Sequence, residues 1–241
     1  MRILITGCAR SGTSLLTYLM KGFRSLHVFD TEEKNPRLIG HPSDLREPFV
    51  FKYPQGLIDP GQDFALRRSR DSYEAGFRSP YLRSYVKTWK VLICIRDARD
   101  VVTSRHPRQP DRYWVSPLRW IKAIERTLPL IHQPNVVLVK YEELVCDPVR
   151  QMTCIAAFLG MDYDNNWTTC FHKDIHPGTE MSTALGGIRP IDTHSIGRWT
   201  RPEHRTRIAR VYQEWGIRIE SLLAALGYDK EVTQPFVDTY P

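Results

Sequence analysis

The chain reads as one α/β domain spanning residues 1–241, a three-layer α/β/α arrangement around a parallel sheet. Three observations predict this. Short apolar runs recur near residues 2–6, 48–54, 90–95 and 135–141, each of strand length and largely continuous, as in strands buried on both faces. The first run leads through a tight loop into apolar residues at helical spacing, Leu15, Leu16, Leu19, Met20 and Phe23. A length of 241 residues, 41% hydrophobic and 25% charged, suits a single sizeable core.

The first strand is expected over 2–6 and the first helix over 12–23, with Gly7-Cys8-Ala9-Arg10-Ser11-Gly12-Thr13-Ser14 at the turn. Strand, tight loop and helix together aim backbone N–H groups at an anion. Gly7 and Gly12 permit close approach of the main chain to a ligand. Thr13 and Ser14 offer hydroxyls, and Arg10 a fixed positive charge. Gly7 and Gly12 have the spacing of the ATP- and GTP-binding loop, but Thr13 stands where that loop carries lysine, which argues against NTP hydrolysis and kinase chemistry. Only two of the three glycines of a dinucleotide-binding turn can be placed. A phosphatase-type cysteine loop needs an arginine six residues after Cys8, and that position is Ser14, so Cys8 reads as a small residue at a strand end.

A second short strand is expected over 25–29, with Asp30 or Thr31 capping a helix or polar loop. Asn35-Pro36, Pro42 and Pro48 mark an irregular stretch. The strand over 48–54 is stopped by Pro54 and carries Lys52 near its C-terminal end, where ligands of open parallel sheets gather. Residues 56–88 interleave arginines (67, 68, 70, 78, 83) with aromatics and read as a lid or acceptor-site insertion with one or two helices.

The strand over 90–95 runs straight into Arg96-Asp97-Ala98-Arg99-Asp100-Val101-Val102-Thr103-Ser104. Arg96 leaves the strand end and Ser104 lies two helical turns on, so guanidinium and hydroxyl could converge on one phosphate, with Asp97 and Asp100 capping the helix or orienting Arg96 and Arg99. A polar loop is expected after Pro107 and Pro110, then a helix over 117–131 and a strand over 135–141. Pro148 opens and Gly160 stops a further helix. His172 and His176 are four apart, but Pro177 follows at once and no third ligand can be placed, so no metal is expected. Two helices, 202–215 and 217–226, are expected to end at Gly227.

The run Ala9-Arg10-Ser11-Gly12-Thr13-Ser14 resembles the 5′-phosphosulfate loop of sulfotransferases that use 3′-phosphoadenosine 5′-phosphosulfate (PAPS). Downstream, Arg96 to Ser104 resembles the family's 3′-phosphate motif, an Arg at a strand end, Asp-x-Arg-Asp-Val, and a Ser eight positions after the Arg. Tyr141-Glu142-Glu143-Leu144 with Asp147-Pro148, and Thr193 to Trp199, resemble two further motifs, the last one of soluble bacterial-type members. The four stand in family order and leave out only 30–48 and 56–88, the segments expected to recognise the acceptor.

The resemblance implies a fold like that of P-loop nucleotide-binding proteins and sulfonyl transfer from PAPS to an acceptor hydroxyl or amine, releasing 3′,5′-ADP. By it, Ser11, Gly12, Thr13 and Ser14 hold the 5′-phosphate, and Arg10 and Lys52 neutralise charge on the leaving phosphate and the sulfonyl oxygens. Arg96, Ser104 and Arg198 take the 3′-phosphate, and Tyr141 contacts the adenine. Leu15 stands where cytosolic members set a tryptophan against that base. Their histidine base, two positions after the lysine, is here Pro54. Glu33 and Glu32 are the expected general base, because related members place a glutamate after the second strand; His41 is the alternative.

The net charge of +7 agrees with an anionic ligand. The expected partners are PAPS and an acceptor that is a small molecule, carbohydrate or lipid, with no nucleic acid. No run of ~18 apolar residues predicts a membrane span. The start lacks the zones of a signal peptide, and the five cysteines, odd in number, read as reduced thiols of a cytoplasmic protein. Two other functions keep their own signatures. A P-loop-like kinase or NTPase predicts Mg²⁺-dependent phosphate transfer. A non-catalytic module that binds anionic glycans predicts affinity that ignores nucleotide.

Overall fold

The computed structural model describes residues 1–32, 48–52, 86–106, 109–178, 180–185 and 187–228. Its strands are β1 (Arg2–Gly7), β2 (His27–Glu32), β3 (Phe49–Lys52), β4 (Lys90–Ile95), β5 (Arg105–His106), β6 (Gln109–Tyr113) and β7 (Val136–Lys140). Its helices are α1 (Thr13–Leu19), α2 (Ala98–Val102), α3 (Pro117–Thr127), α4 (Tyr141–Cys146), α5 (Pro148–Leu159), α6 (Trp167–Cys170), α7 (Glu180–Leu185) and α8 (Arg205–Ala225). Five strands form one sheet in the order β2-β3-β1-β4-β7, every pairing parallel. The predicted α/β class and parallel sheet are the observed ones.

Both faces of the sheet are covered, which is why its strands read as continuous apolar runs. Leu4, Phe51, Val91 and Ile93 pack on one side against Trp120, Ile121 and Ile124 of α3 and Ile208, Val211 and Leu222 of α8. Ile3, Ile5, Val50, Leu92 and Val139 pack on the other against Leu15, Leu16 and Leu19 of α1 and Met152, Ile155 and Leu159 of α5. Each fully buried side chain of this size contributes roughly 1.5–3 kcal/mol. Local chemistry starts and stops the helices. Ser116 Oγ caps α3 by accepting the Arg119 N–H at 3.2 Å, with Pro117 in the first turn. Asp147 caps α5 through the Arg150 N–H at 3.0 Å, and Gly160 ends it with a left-handed φ of 65°.

Several expected boundaries move. The second strand is His27–Glu32, so Asp30 and Thr31 continue it instead of capping a helix; parallel pairing with β3, up to Glu32 opposite Lys52, carries it on. The first helix tightens into a 3₁₀ turn, Met20–Gly22, and α3 does the same at Leu128–Leu130, where Pro129 lacks an N–H. The polar loop expected after Pro107 and Pro110 is in part the strand β6, which pairs antiparallel with β5 just before it. The two expected final helices are one, α8, running through Gly216. The apolar face of Ile208, Val211, Ile219 and Leu222 stays buried along its length, which outweighs the ~1 kcal/mol that a helical glycine costs. Among the described residues no helix is long and apolar enough to cross a membrane.

Of the expected acceptor segments, residues 33–47 and 56–85 lie outside the described residues, and with them Glu33 and His41. What the sheet positions is its C-terminal edge. From β1 the chain turns toward β2 and β3, and from β4 toward β7. The crevice between β1 and β4 is therefore the topological switch point, where ligands of such sheets bind.

Candidate functional site

The loop after β1 has a conformation that few sequences allow. Gly7 has φ 146°, and a Cβ there would run into the Cys94 carbonyl of β4. Gly12 has φ 90°, and its Cβ would meet Tyr141 Cδ2 at 2.6 Å. Arg10 is the one non-glycine residue with positive φ, 70°, among the described residues. A left-handed residue in the middle of such a loop turns its peptide groups away from their usual partners. Here it directs the Arg10 carbonyl at Arg96, whose Nη1 donates to it at 3.1 Å.

Arg96 stands at the end of β4, 6% exposed. Its carbonyl accepts the indole N–H of buried Trp120 at 3.2 Å, which ties the residue to the α3 layer. The guanidinium lies over the Tyr141 ring, 4.2 Å from its centroid. The same group donates to the Ser195 carbonyl and sits 3.7 Å from the Asp100 carboxylate. One side chain thus joins the first loop, the start of α4 and the segment around residue 195. Tyr141 takes part in this packing through its ring.

The turn after Arg96 is built by its own acids. Asp97 Oδ1 accepts the Arg99 N–H at 2.8 Å, capping α2, and the carboxylate also pairs with the Arg99 guanidinium. The Asp97 N–H donates to Glu142 Oε1 at 3.0 Å, and Glu142 Oε2 accepts from the Tyr228 hydroxyl at 2.9 Å. Burial pushes the Glu142 carboxyl above its usual range, against these hydrogen bonds and the Arg96 charge. Ser104 follows α2, but its hydroxyl donates back to the Asp100 carbonyl at 2.7 Å.

On the β3 side, Lys52 is 3% exposed, and its Nζ donates to Ser14 Oγ at 3.1 Å. Glu32, the last residue of β2, is in register with Lys52. Thr13 begins α1 and is buried. Ser11 is 1% exposed, and its hydroxyl has no hydrogen-bond partner among the described residues; Arg10 Nε and Arg96 Nε are in the same condition. Leaving such groups buried and unpaired costs roughly 1–3 kcal/mol each.

Charge is crowded in the same place. Burial lowers the Arg10 pKa, and the Arg96 and Arg198 guanidiniums lower it further. Arg198 is lowered by burial and then by Arg201 and Arg96, although the residue is largely exposed. Asp100 is the acid that opposes this cluster, and its own carboxyl is raised by burial. Among the described residues no group of three or more His, Cys, Asp and Glu side chains is placed to hold a metal ion.

The structure therefore brings together Arg10, Ser11, Gly12, Ser14, Lys52, Arg96, Tyr141 and Arg198, with Thr13 at the helix start. It turns the Ser104 hydroxyl back onto α2. The sequence reading missed Ser195, Glu142 and Tyr228. Glu142 and Ser195 lay inside motifs already singled out, though neither was given a role, whereas nothing in the local sequence marks Tyr228.

The family model for the sulfotransferase domain matches residues 1–176. Among solved structures, the sulfotransferase domain from the Synechococcus PCC 7002 olefin synthase superposes with a TM-score of 0.57 at 18% identity, covering 95% of each chain. Mouse sulfotransferase SULT7A1 complexed with PAP gives 0.54 at 13% identity, covering 95% of this chain and 89% of that one. The sulfotransferase domain from the curacin biosynthetic pathway gives 0.52 at 14%, covering 94% and 97%. No curated protein sequence matches the chain. At such identities the solved structures speak for the fold alone. The family match, by contrast, takes in every strand of the sheet and the loops at their C-terminal ends, and on that ground the chain belongs to the sulfotransferase family.

Proposed function

We propose that the chain moves a sulfonyl group from PAPS to an acceptor hydroxyl or amine and releases 3′,5′-ADP. The observation that carries this reading is the crowding of Arg10, Arg96 and Arg198 about one crevice, each close enough to act on another's charge, beside the buried, unpaired Ser11 hydroxyl and Arg10 Nε. Unpaired donors and mutually repelling guanidiniums are stabilised together by one kind of ligand, a multiply charged anion. A nucleotide with phosphates at both 5′ and 3′ ends fits two such centres. The mouse relative complexed with PAP supports the same assignment.

In this reading the loop N–H groups from Ser11 to Ser14, with the Thr13 and Ser14 hydroxyls, hold the 5′-phosphate. Arg96 and Arg198 take the 3′-phosphate, with Ser104 at the edge of that subsite and Tyr141 near the adenine. Lys52, held at Ser14, neutralises charge that builds on the leaving phosphate oxygen and the sulfonyl oxygens. The sulfur–oxygen bond to the 5′-phosphate breaks as the bond from the acceptor oxygen or nitrogen forms. The acceptor's proton goes to a carboxylate, for which Glu32 and Glu33 are the candidates. The register of Glu32 with Lys52 favours that edge of the sheet. Catalysis is then positioning and electrostatics, as in phosphoryl transfer.

Calorimetric titration with 3′,5′-ADP, 5′-AMP and ATP·Mg²⁺, on wild type and Arg96→Ala, tests the reading. Selective binding of 3′,5′-ADP that depends on Arg96 is expected. ATP binding as tight or tighter, or indifference to Arg96, overturns it. For the base, Glu32→Gln and Glu33→Gln separate the candidates, since a true base contributes ~10²–10⁴ in turnover.

A further inference from the structure

Asp100 is the residue whose contacts the proposed chemistry leaves unexplained. It lies on α2 and is 3% exposed. Its Oδ2 accepts the Gly197 N–H at 2.9 Å and its Oδ1 the Trp199 N–H at 3.1 Å. Both oxygens of one buried carboxylate are thus given to the backbone of a segment nearly a hundred residues downstream. Gly197 makes this geometry with a left-handed φ of 68°. Between the two anchored amides stands Arg198, exposed, and near enough to Arg96 for the charge of one guanidinium to act on the other. Arg96 closes the clasp from the other side by donating to the Ser195 carbonyl. A carboxylate suits the place because it offers two acceptors and no donor. An amide in its stead turns an NH₂ group toward one of the two N–H groups.

We infer that Asp100 is a positioning residue for the 3′-phosphate subsite: it fixes the 195–199 segment so that Arg198 joins Arg96 at that phosphate. This rests on the PAPS reading above and deepens it. Asp100 itself touches no ligand. Its effect is confined to nucleotides that carry a 3′-phosphate, which a residue merely needed for folding does not discriminate.

The test compares 3′,5′-ADP with 5′-AMP on purified full-length wild type, Asp100→Asn, Gly197→Ala and Arg198→Ala. Asp100→Asn is expected to lose roughly tenfold or more in affinity for 3′,5′-ADP while 5′-AMP changes by less than about twofold, the size of one lost charge-assisted contact. Arg198→Ala loses a similar factor, and the double variant loses less than the two factors combined, because Asp100 acts largely through Arg198, the remainder coming from its own ion pair with Arg96 at 3.7 Å. Gly197→Ala gives a second route if Asp100→Asn does not fold. A Cβ at Gly197 meets nothing within 4 Å, so its strain is confined to the turn. An unchanged preference in Asp100→Asn and Gly197→Ala, with wild type discriminating, overturns the inference and leaves the PAPS reading standing. An equal loss for both nucleotides overturns it in favour of a general structural role. Failure of wild type to prefer 3′,5′-ADP overturns both.

Discussion

Gly12→Ala ties the fold to the site more directly than any other single change, and Gly160→Ala supplies its control. Both glycines have positive φ, 90° and 65°. An L-residue in that region pays about 1–2 kcal/mol. At Gly160 nothing lies within 4 Å of the new Cβ, so the backbone term is the whole effect. At Gly12 the Cβ arrives 2.6 Å from Tyr141 Cδ2, against an optimal carbon–carbon separation of roughly 3.5–4.0 Å. Loop and ring must therefore part by about 1 Å. Tyr141 is buried and carries the Arg96 guanidinium on its face, so it has little room to retreat. Crowding of this kind adds about 1–3 kcal/mol, giving a total near 2–5 kcal/mol for Gly12→Ala against about 1–2 for Gly160→Ala. Urea unfolding of the two variants reads the difference as a shift in midpoint at constant slope. Displacement of Tyr141 should also weaken 3′,5′-ADP binding in Gly12→Ala and leave Gly160→Ala like wild type. Equal destabilisation, within about 0.5 kcal/mol, would refute the steric argument.

Other consequences concern charge and reactivity. Lys52→Met keeps the aliphatic bulk and removes the ammonium at Ser14, so turnover should fall by ~10² or more in a sulfonyl-transfer assay while thermal unfolding stays close to wild type. Because Arg10, Arg96 and Arg198 repel one another, 3′,5′-ADP at ~100 times its Kd should raise the melting temperature by roughly 5–10 °C, and sodium chloride of matched ionic strength should not. Burial raises the Glu142 carboxyl, so its favourable share of stability is present below the ordinary glutamate range and is lost as pH rises through the raised folded value. Glu142→Gln should flatten that part of the stability–pH curve, and an unaltered slope in thermal melts counts against the assignment. Burial also pushes the Cys8 thiol up to about 12, whereas Cys146 and Cys154 are exposed. Iodoacetamide at neutral pH should mark the latter two in peptide mass spectra and spare Cys8 in the folded protein.

What could be read from the sequence was what depends on neighbours along the chain. Strands buried on both faces leave unbroken apolar runs, and β1, β3, β4 and β7 appeared where those runs stood. The loop at 7–14 was legible because Gly7, Arg10 and Gly12 lie within one turn of each other. Gly216 misled because a helical glycine looks like a stop until the apolar face around it is known to be buried. The β5–β6 pair was hidden by Pro110 and by a run of polar residues without alternation. Ser195, Gly197 and Trp199 meet Arg96 and Asp100 only through the packing of the whole chain, and the Glu142–Tyr228 bond joins residues 86 apart. No local pattern encodes contacts of that kind.

The missing loop lysine acquires a physical meaning in the folded chain. In ATP- and GTP-binding loops the cation stands at the start of the helix, on the axis of the phosphate cradle. Here that position is Thr13, and an ammonium comes instead from Lys52 on β3, the strand beside β1, whose register sets Lys52 against Ile5. The cation thus approaches the loop from one flank and reaches Ser14 in the first turn of α1. The guanidinium of Arg96 approaches from the other flank, from β4, and binds the Arg10 carbonyl. The sheet order β2-β3-β1-β4-β7 therefore divides the positive charge about β1, one centre toward β3 and one toward β4. A linear triphosphate needs its charge compensated along one line. Two separated cationic centres suit the nucleotide of the proposed reaction, which carries anionic groups at its 5′ and 3′ ends.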